Sequence, residues 1–473
     1  MYQNPFIHLF KTSNGYYFYD VNTDSILNIS KDSYEYLNNQ QKGDSLEAVP
    51  KYINFLKNKG YLKSNRVKTT EHPDTEFLKY YCSNRIEGII LQVTQSCNLR
   101  CEYCTYSGGY ANRTHSSKKM TYDMAKQGID FYIKHSRDCN ELSIGFYGGE
   151  PLLEFKLIKQ CIDYAKSHIE GKNIRFNLTT NATLLTEEIV RYFDQNNVSI
   201  MISLDGPREI HDKNRKFANS GNGSFDTVME KVRMIYDNFH SYFEKNVHYN
   251  TVLETDNFSC VNKFIEEDHL LENALFLSSV VNELNRKEKT EKTDQFYEES
   301  RYALFIGYLH MLGKIEKESS SKLLQTQLLS IADTRKGKQG KQRDVIPEKW
   351  HHGGPCIPGI MRLFINSDGN FYPCEKVCEI SNDMIIGNLN EGYDLEKIIK
   401  ILNIETIIEE KCHDCWAYSD CRVCVGCISA EPTEKELDYQ CKKTQIRVEN
   451  DLKDYCVLRD LGYDFETRES RKL

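Results

Sequence analysis

Six short apolar runs, at about 87–94, 141–147, 173–179, 198–204, 247–253 and 274–281, recur through the middle of this 473-residue chain. Each is rich in Ile, Leu, Val, Phe or Tyr, ends in turn chemistry, and is separated from the next by helix-period stretches. The clearest of those is 186–193, where Thr186 supplies a cap and Glu187 and Glu188 an acidic first turn. Strand–helix alternation implies a parallel sheet. Six units are too few to close an eight-stranded barrel. Parallel α/β barrels build their sites at the C-terminal ends of their strands.

The polar motifs of this region stand at those ends. Cys97, Cys101 and Cys104 follow the first run, spaced by three residues and then two. Thiolates are the usual ligands of iron–sulfur clusters, and a four-iron cube needs four of them to be closed. A loop that offers three leaves one iron open to a small molecule. A zinc site would want a fourth nitrogen or sulfur nearby, and none stands in this loop. Gly148-Gly149-Glu150-Pro151 follows the second run, Thr179-Thr180-Asn181-Ala182-Thr183 the third, and Ser203-Leu204-Asp205-Gly206-Pro207 the fourth, with Arg215 downstream. Any one of these reads as an ordinary strand-to-helix turn. Four in a shared order point to one site.

The cysteine loop and the three motifs after it resemble the radical S-adenosylmethionine (radical SAM) enzymes. The resemblance implies a four-iron cluster on Cys97, Cys101 and Cys104, whose open iron chelates SAM and whose electron generates a 5′-deoxyadenosyl radical. It further implies that Tyr103, Gly148, Gly149, Glu150, Asn181, Ser203, Asp205 and Arg215 surround SAM. Within that set Glu150 takes the amino group, Ser203 and Arg215 the carboxylate, and Asp205 lies near the ribose or substrate. The fold it implies is α/β: a partial (β/α)6 TIM-like barrel over 81–285.

Seventeen cysteines without an export signal read as metal ligands rather than disulfides. Downstream, Cys356 is followed by Gly369, Cys374, then Cys412, Cys415, Cys421, Cys424, Cys427 and Cys441. The segment 361–373 reads as a hairpin, an apolar strand, a Ser-Asp-Gly turn and an aromatic strand, which would bring Cys356 and Cys374 together. This field resembles the SPASM extension of radical SAM enzymes, over 346–445. The resemblance implies two auxiliary clusters, three [4Fe-4S] centres in all. Cys412, Cys415, Cys421 and Cys441 would hold the outer one. Cys356, Cys374 and one of Cys424 or Cys427 would hold the inner one, with Cys378 a candidate fourth ligand. The spacing departs from the family after Cys421, so Cys424 and Cys427 compete for one role. The alternative is a zinc ribbon on Cys412, Cys415, Cys421 and Cys424. Cys82, Cys139, Cys161, Cys260 and Cys456 are scattered and read as buried structural thiols.

Three strands are expected at 6–12, 16–21 and 25–30, with Asn14-Gly15 as a hairpin turn, and two helices after them. In the second helix Val49, Ile53 and Leu56 share a face, Pro50 suits the first turn and Gly60 ends it. Residues 1–80 thereby resemble the winged-helix element that holds leader peptides, with Ser25, Ile26, Leu27, Asn28 and Ile29 as the strand edge to which a leader adds; a plain structural cap for the barrel and a winged-helix DNA-binding module are the alternatives. The stretches 284–300 and 335–344 are charge-rich and apolar-poor and read as solvated connections around a helical bridge over 286–345; the basic second stretch has an acidic leader as its alternative contact. A helical tail is expected over 446–473. The net charge of −8 argues against nucleic acid as a main partner, and no run approaches a membrane span, so a cytoplasmic protein is expected. The whole most resembles maturases that install thioether crosslinks in ribosomally made, leader-bearing Cys-rich peptides, fed electrons by a flavodoxin or ferredoxin. Sulfatase-type formylglycine formation, carbon–carbon crosslinking, epimerisation and an iron–sulfur redox sensor are the alternatives.

Overall fold

The computed structural model describes residues 4–465, apart from 45–47, 108, 111–112, 255–256, 273, 282–283, 285, 289–291, 317–319, 335–339, 353–355 and 430–431. Six strands, Phe276–Val280, Val247–Leu253, Val198–Ser203, Asn173–Thr180, Glu141–Gly148 and Gly88–Thr94, lie side by side in that order, each parallel to its neighbour. They coincide with the six apolar runs to within one or two residues at each end. Helices cross between them. Tyr122–His135 and Glu187–Gln195 start at Thr121 and Thr186, whose hydroxyls accept from the amides of Met124 and Ile189. The first of these buries Ala125, Gly128, Ile129 and Tyr132 along one stripe.

The sheet does not stop at the sixth strand. Leu363–Ile365 pairs in parallel with Gly88–Thr94, and Asn370–Tyr372, Gly387–Asn388 and Gly392–Tyr393 add antiparallel strands, giving a mixed ten-stranded sheet. The expected 361–373 hairpin therefore exists, and it is built into the barrel's edge. Phe364 and Phe371 are completely buried in the same apolar core as Leu91 and Ile144. Hydrophobic burial and ladder hydrogen bonds thus fasten the second cysteine field directly to the first.

The N-terminal strands Ile7–Lys11, Tyr16–Asp20 and Ser25–Ile29 form an antiparallel sheet with the second in the middle. Their alternation serves two cores. Ile7, Phe18 and Ile29 face the module's own helices, meeting Leu37, Ile53 and Leu56, whereas Phe6, Phe10, Tyr17 and Tyr19 meet Val448, Leu452 and Tyr455 of the long helix Glu434–Asp460. That helix carries Cys441 and runs unbroken past position 445. The helix Lys51–Asn58 buries Ile53 and Leu56, but Val49 precedes its first turn and is exposed rather than sharing that face.

Three further expectations are corrected. Cys260 is exposed, because Phe258, Val261 and Ile265 take the buried face of the helix Phe258–Glu267. Part of 284–300 is ordered as the start of the helix Asp294–Met311, capped by Thr293; 285 and 289–291 lie outside the described residues. The stretch 335–344 is solvated only in part: residues 340–342 and 344 are exposed, yet Arg343 donates to the carbonyls of Val21 and Asn22 and to Ser419 Oγ, and Lys341 Nζ sits 5.0 Å over Tyr61. Residues 335–339 lie outside the described set.

Candidate functional site

The loop after Gly88–Thr94 is held by the end of the next strand. Gly148 has φ +143°, and a Cβ there would stand 1.9 Å from the Thr94 carbonyl oxygen. A Cβ on Gly149 would fall 2.2 Å from the Ser96 oxygen and 3.0 Å from Cys97 Cβ. Only glycine permits this approach. The amides of Gly149 and Glu150 donate to Thr94 and Ser96 carbonyls at 3.0 and 2.9 Å, so the two glycines clamp the base of the cysteine loop.

The Glu150 carboxylate, almost fully buried, accepts from Leu152 N at 3.0 Å, Thr180 Oγ1 at 2.8 Å and Asn181 N at 2.8 Å. Burial raises its pKa above the usual carboxyl range, and these hydrogen bonds pull it back. It thereby aligns the third strand's end. Asn181 Nδ2 in turn reaches Asn98 Oδ1 at 2.9 Å and lies 3.9 Å from Cys97 Sγ.

On the other side, Arg215 donates through Nε to Asp205 at 2.8 Å, and its Nη1 lies 3.9 Å from Cys101 Sγ. Asp205 also accepts from Val252 N at 3.1 Å and from the Tyr103 hydroxyl, while the Arg215 guanidinium sits 5.4 Å from the Tyr103 ring centre. The strand Arg215–Phe217 pairs antiparallel with Leu99–Cys101, which sets Arg215 opposite Cys101. Ser203 is buried at the end of its strand. His211 backs Asp205, accepting from its amide at 3.4 Å, and burial, then Arg215, lower its pKa to about 4. The motifs at four strand ends therefore converge on one cysteine loop.

Burial pushes the thiols of Cys97 and Cys101 up to about 12. Such sulfurs ionise only beside compensating positive charge, which a cluster of irons supplies. Among the described residues, no three cysteines bring their sulfurs within 4.8 Å of one another. One zinc ion, with bonds of about 2.3 Å, would draw its sulfurs to within roughly 4 Å of each other. The donor set fits a larger group better than a single ion.

The second field falls into two parts. Cys412, Cys415, Cys421 and Cys441 line a single cavity of about 350 Å³, together with Tyr418 and Gln445. Gln445 Nε2 points at Cys415 Sγ from 3.6 Å. The other part is looser. Cys424 and Cys427 have sulfurs 3.9 Å apart, and the thiol of Cys424 shared with Cys427 holds the latter's pKa below its ordinary value. Sharing that thiol with Cys427, and then burial, raise the Cys424 pKa, and Cys374 is near enough to add to the rise. Cys356 is exposed, and Gly359 donates to the Pro373 carbonyl at 3.4 Å, which brings the segments bearing Cys356 and Cys374 alongside each other.

One buried network carried no sequence signal. Gln92 donates to Glu379 at 2.6 Å and to the Tyr106 hydroxyl at 2.9 Å, while Arg113 pairs with Glu379 at 3.1 Å. Its members come from the first strand, the stretch after Cys104 and the second cysteine field. Nothing in their local sequence announces that they meet.

Residues 91–267 match the Radical SAM superfamily family model. The chain is 26% identical over 250 residues to the radical SAM cyclopropyl synthase TigE of Paramaledivibacter caminithermalis, covering 49% of this chain and 48% of that protein. It is 25% identical over 373 residues to a cysteine-type anaerobic sulfatase-maturating enzyme of Clostridium perfringens, covering 75% of this chain and 93% of that one. The chain spans about half the length, or less, of the first curated relatives it matches. The solved structure of native anSMEcpe with bound AdoMet and Cp18Cys peptide shares the fold, with TM-score 0.52, 18% identity, and coverage of 77% of this chain and 99% of that one.

Proposed function

We propose that the protein is a radical SAM maturase that forms cysteine thioether crosslinks in a ribosomally made, leader-bearing, Cys-rich peptide. The observation that carries this reading is the strand edge Ser25–Ile29. It lies at the border of the N-terminal sheet, and no other strand pairs with its outer side among the described residues. An edge of this kind is a template for an added peptide strand. The opposite border strand, Ile7–Lys11, is engaged: His8 stacks on Trp416 at 3.5 Å and bonds to Glu449 at 3.2 Å. A leader taken at Ser25–Ile29 would hold its core peptide at raised effective concentration near the site.

In this reading Cys97, Cys101 and Cys104 hold a four-iron cluster, and Tyr103, Gly148, Gly149, Glu150, Asn181, Ser203, Asp205 and Arg215 surround SAM. When bound, the pair supplies one-electron cleavage of SAM and removal of a hydrogen atom from the peptide. The chain's own groups prepare the place. Gly148 and Gly149 fix the cysteine loop by backbone contact, and Glu150 sets the Asn181 turn. Asp205 keeps the Arg215 cation beside Cys101, where it offsets thiolate charge. The four-thiol cavity supports a second cluster on Cys412, Cys415, Cys421 and Cys441. Cys374 with Cys424 or Cys427, joined by Cys356 and with Cys378 as a further donor, would hold a third. These centres would accept the electron released when sulfur joins carbon, and a flavodoxin or ferredoxin would supply the first electron.

A second reading is formylglycine formation in a sulfatase. It is favoured by the 93% coverage of the Clostridium perfringens cysteine-type sulfatase-maturating enzyme. Anaerobic incubation with SAM, dithionite and a leader-bearing Cys-rich peptide separates the two. A thioether maturase removes two hydrogens per crosslink and leaves the crosslinked cysteines resistant to alkylation. An unchanged peptide, together with turnover of a sulfatase peptide, would refute the maturase reading.

A further inference from the structure

His352 and Glu405 line the same cavity as the four thiols, and with His351 they make a donor set that contains no sulfur. His351, His352 and Glu405 place one nitrogen or oxygen each within 4.8 Å of one another. All three are deeply buried, with exposures of 3%, 5% and 4%. Among the described residues, neither ring nitrogen of His352 and neither oxygen of Glu405 makes a well-formed hydrogen bond, although the Val423 backbone approaches the His352 ring. The carboxylate has only ion-pair approaches, to His351 Nε2 and, at 3.9 Å, to His352 Nε2. Buried polar groups in native proteins are almost always hydrogen-bonded, and a bound ion is one of the few explanations for exceptions. Here two adjacent side chains are exceptions together, facing the same point.

The third side chain is oriented as a ligand. His351 Nδ1 lies 2.6 Å from the His352 carbonyl oxygen. With its proton donated there, the Nε2 lone pair is directed towards Glu405. A metal-bound histidine commonly donates its other N–H to a backbone carbonyl in this way, which fixes tautomer and ring orientation. The Leu402 carbonyl lies 3.1 Å from the same Nε2.

We infer that His351, His352 and Glu405 form a mononuclear site for a divalent transition metal of the zinc class, distinct from any iron–sulfur centre. Two imidazoles and one carboxylate are ligands such ions favour over iron–sulfur assembly, which uses thiolates. The location gives the ion a structural task. Lys349–Trp350, just before the two histidines, pairs with Thr69–Thr70, and His72 takes Asn403 Oδ1 on its amide at 2.7 Å. The His72 ring stands edge-on to His351 at 4.7 Å. The ion would therefore pin three segments: the one leaving the N-terminal module, the end of the bridge, and the turn into the cavity's helices. This inference does not depend on the maturase reading.

The test uses the full-length protein, anaerobically reconstituted with iron and sulfide and supplied with zinc chloride. After desalting, about one zinc per chain should remain, and its X-ray absorption should show only nitrogen and oxygen neighbours at about 2.0–2.1 Å. His352→Asn and Glu405→Gln should each reduce retained zinc at least tenfold while leaving the iron content unchanged. Absence of zinc from the wild-type protein, a sulfur shell near 2.3 Å, or full zinc retention in both variants would overturn the inference. The wild-type spectrum decides even where a variant fails to fold.

Discussion

Replacing Asp205 by Asn should be more damaging than its mild chemistry suggests. The Arg215 side chain is only 8% exposed and Asp205 is fully buried, so water screens neither charge. Asp205 satisfies Arg215 Nε at 2.8 Å and Nη2 at 3.4 Å, and also takes Val252 N and the Tyr103 hydroxyl. The amide keeps the shape but removes the charge, leaving a guanidinium buried with a neutral neighbour. Breaking one partner of a buried pair costs about 3–5 kcal/mol. For a domain of this size each kcal/mol lowers the midpoint by roughly 2–4 °C, so a loss of roughly 6–20 °C is expected. The assay is thermal unfolding of the reconstituted protein without SAM, followed by circular dichroism. The double variant Asp205→Asn with Arg215→Met removes the stranded charge and should recover much of the loss, since buried pairs replaced by apolar groups are often neutral. A single variant melting within about 2 °C of wild type, or a double variant no better than the single, would refute the reasoning.

Gly149→Ala should reduce iron at the first cysteine loop while sparing the second field, because its Cβ would collide with the Ser96 oxygen and crowd Cys97; iron analysis should show the loss both in the full chain and, nearly complete, in a background lacking Cys374, Cys412, Cys415, Cys424 and Cys427. Acidification should weaken docking of the N-terminal module. Burial outweighs Glu449 and lowers the His8 pKa from 6.5 to about 4, so the unfolded form binds more protons and stability falls as pH drops from 6.5 towards 4. At pH 5.5 this amounts to about 1.4 kcal/mol, and His8→Phe, which keeps the stack on Trp416, should show a correspondingly smaller loss of midpoint between pH 7.5 and 5.5. Thr186→Ala, which removes the cap of Glu187–Gln195, should cost about 1 kcal/mol in denaturant unfolding and leave SAM cleavage intact.

The parallel sheet was legible because each strand sets apolar residues at regular intervals, nearly continuous in Gly88–Thr94 and alternating in Val247–Leu253, and ends in turn chemistry. The N-terminal sheet was legible for a different reason: alternation along Tyr16–Asp20 feeds two cores, and both faces demand large side chains. What the sequence could not disclose was pairing at long range. Nothing in Leu363, Phe364 and Ile365 says that their partner is Gly88–Thr94 rather than another edge, since any exposed border offers the same hydrogen bonds. Glu150 illustrates the limit within a motif. Its type and position were readable, yet the three donors that occupy its carboxylate come from a helix start and a neighbouring strand end. The His351, His352 and Glu405 cluster left no signal, because adjacent histidines and a glutamate more than fifty positions away match no ligand spacing.

On the proposed reading, the edge hairpin bears on which thiol would serve a third centre. Leu363–Ile365 runs with Gly88–Thr94 towards Cys97, and Asn370–Tyr372 returns, so the chain reaches Cys374 at the far end of the barrel strands. Lys376 then passes Gly426, whose Cβ would touch it at 3.6 Å, which keeps Cys374 with the Cys424 and Cys427 loop. Beyond it the segment turns back. Glu379 is gripped by Gln92, Tyr106 and Arg113, and Tyr372 donates its hydroxyl to the Glu379 carbonyl at 2.8 Å. Cys378, next to Glu379, is thereby tied to the interior of the central sheet, and Cys374 reaches the same interior through the Glu375 carbonyl, which accepts from Arg113. Cys378→Ala should then leave iron on Cys412, Cys415, Cys421 and Cys441 intact and reduce crosslinked product more than SAM cleavage. Equal losses of both activities would mean that Cys378 supports the fold of the barrel rather than the handling of the substrate's sulfur.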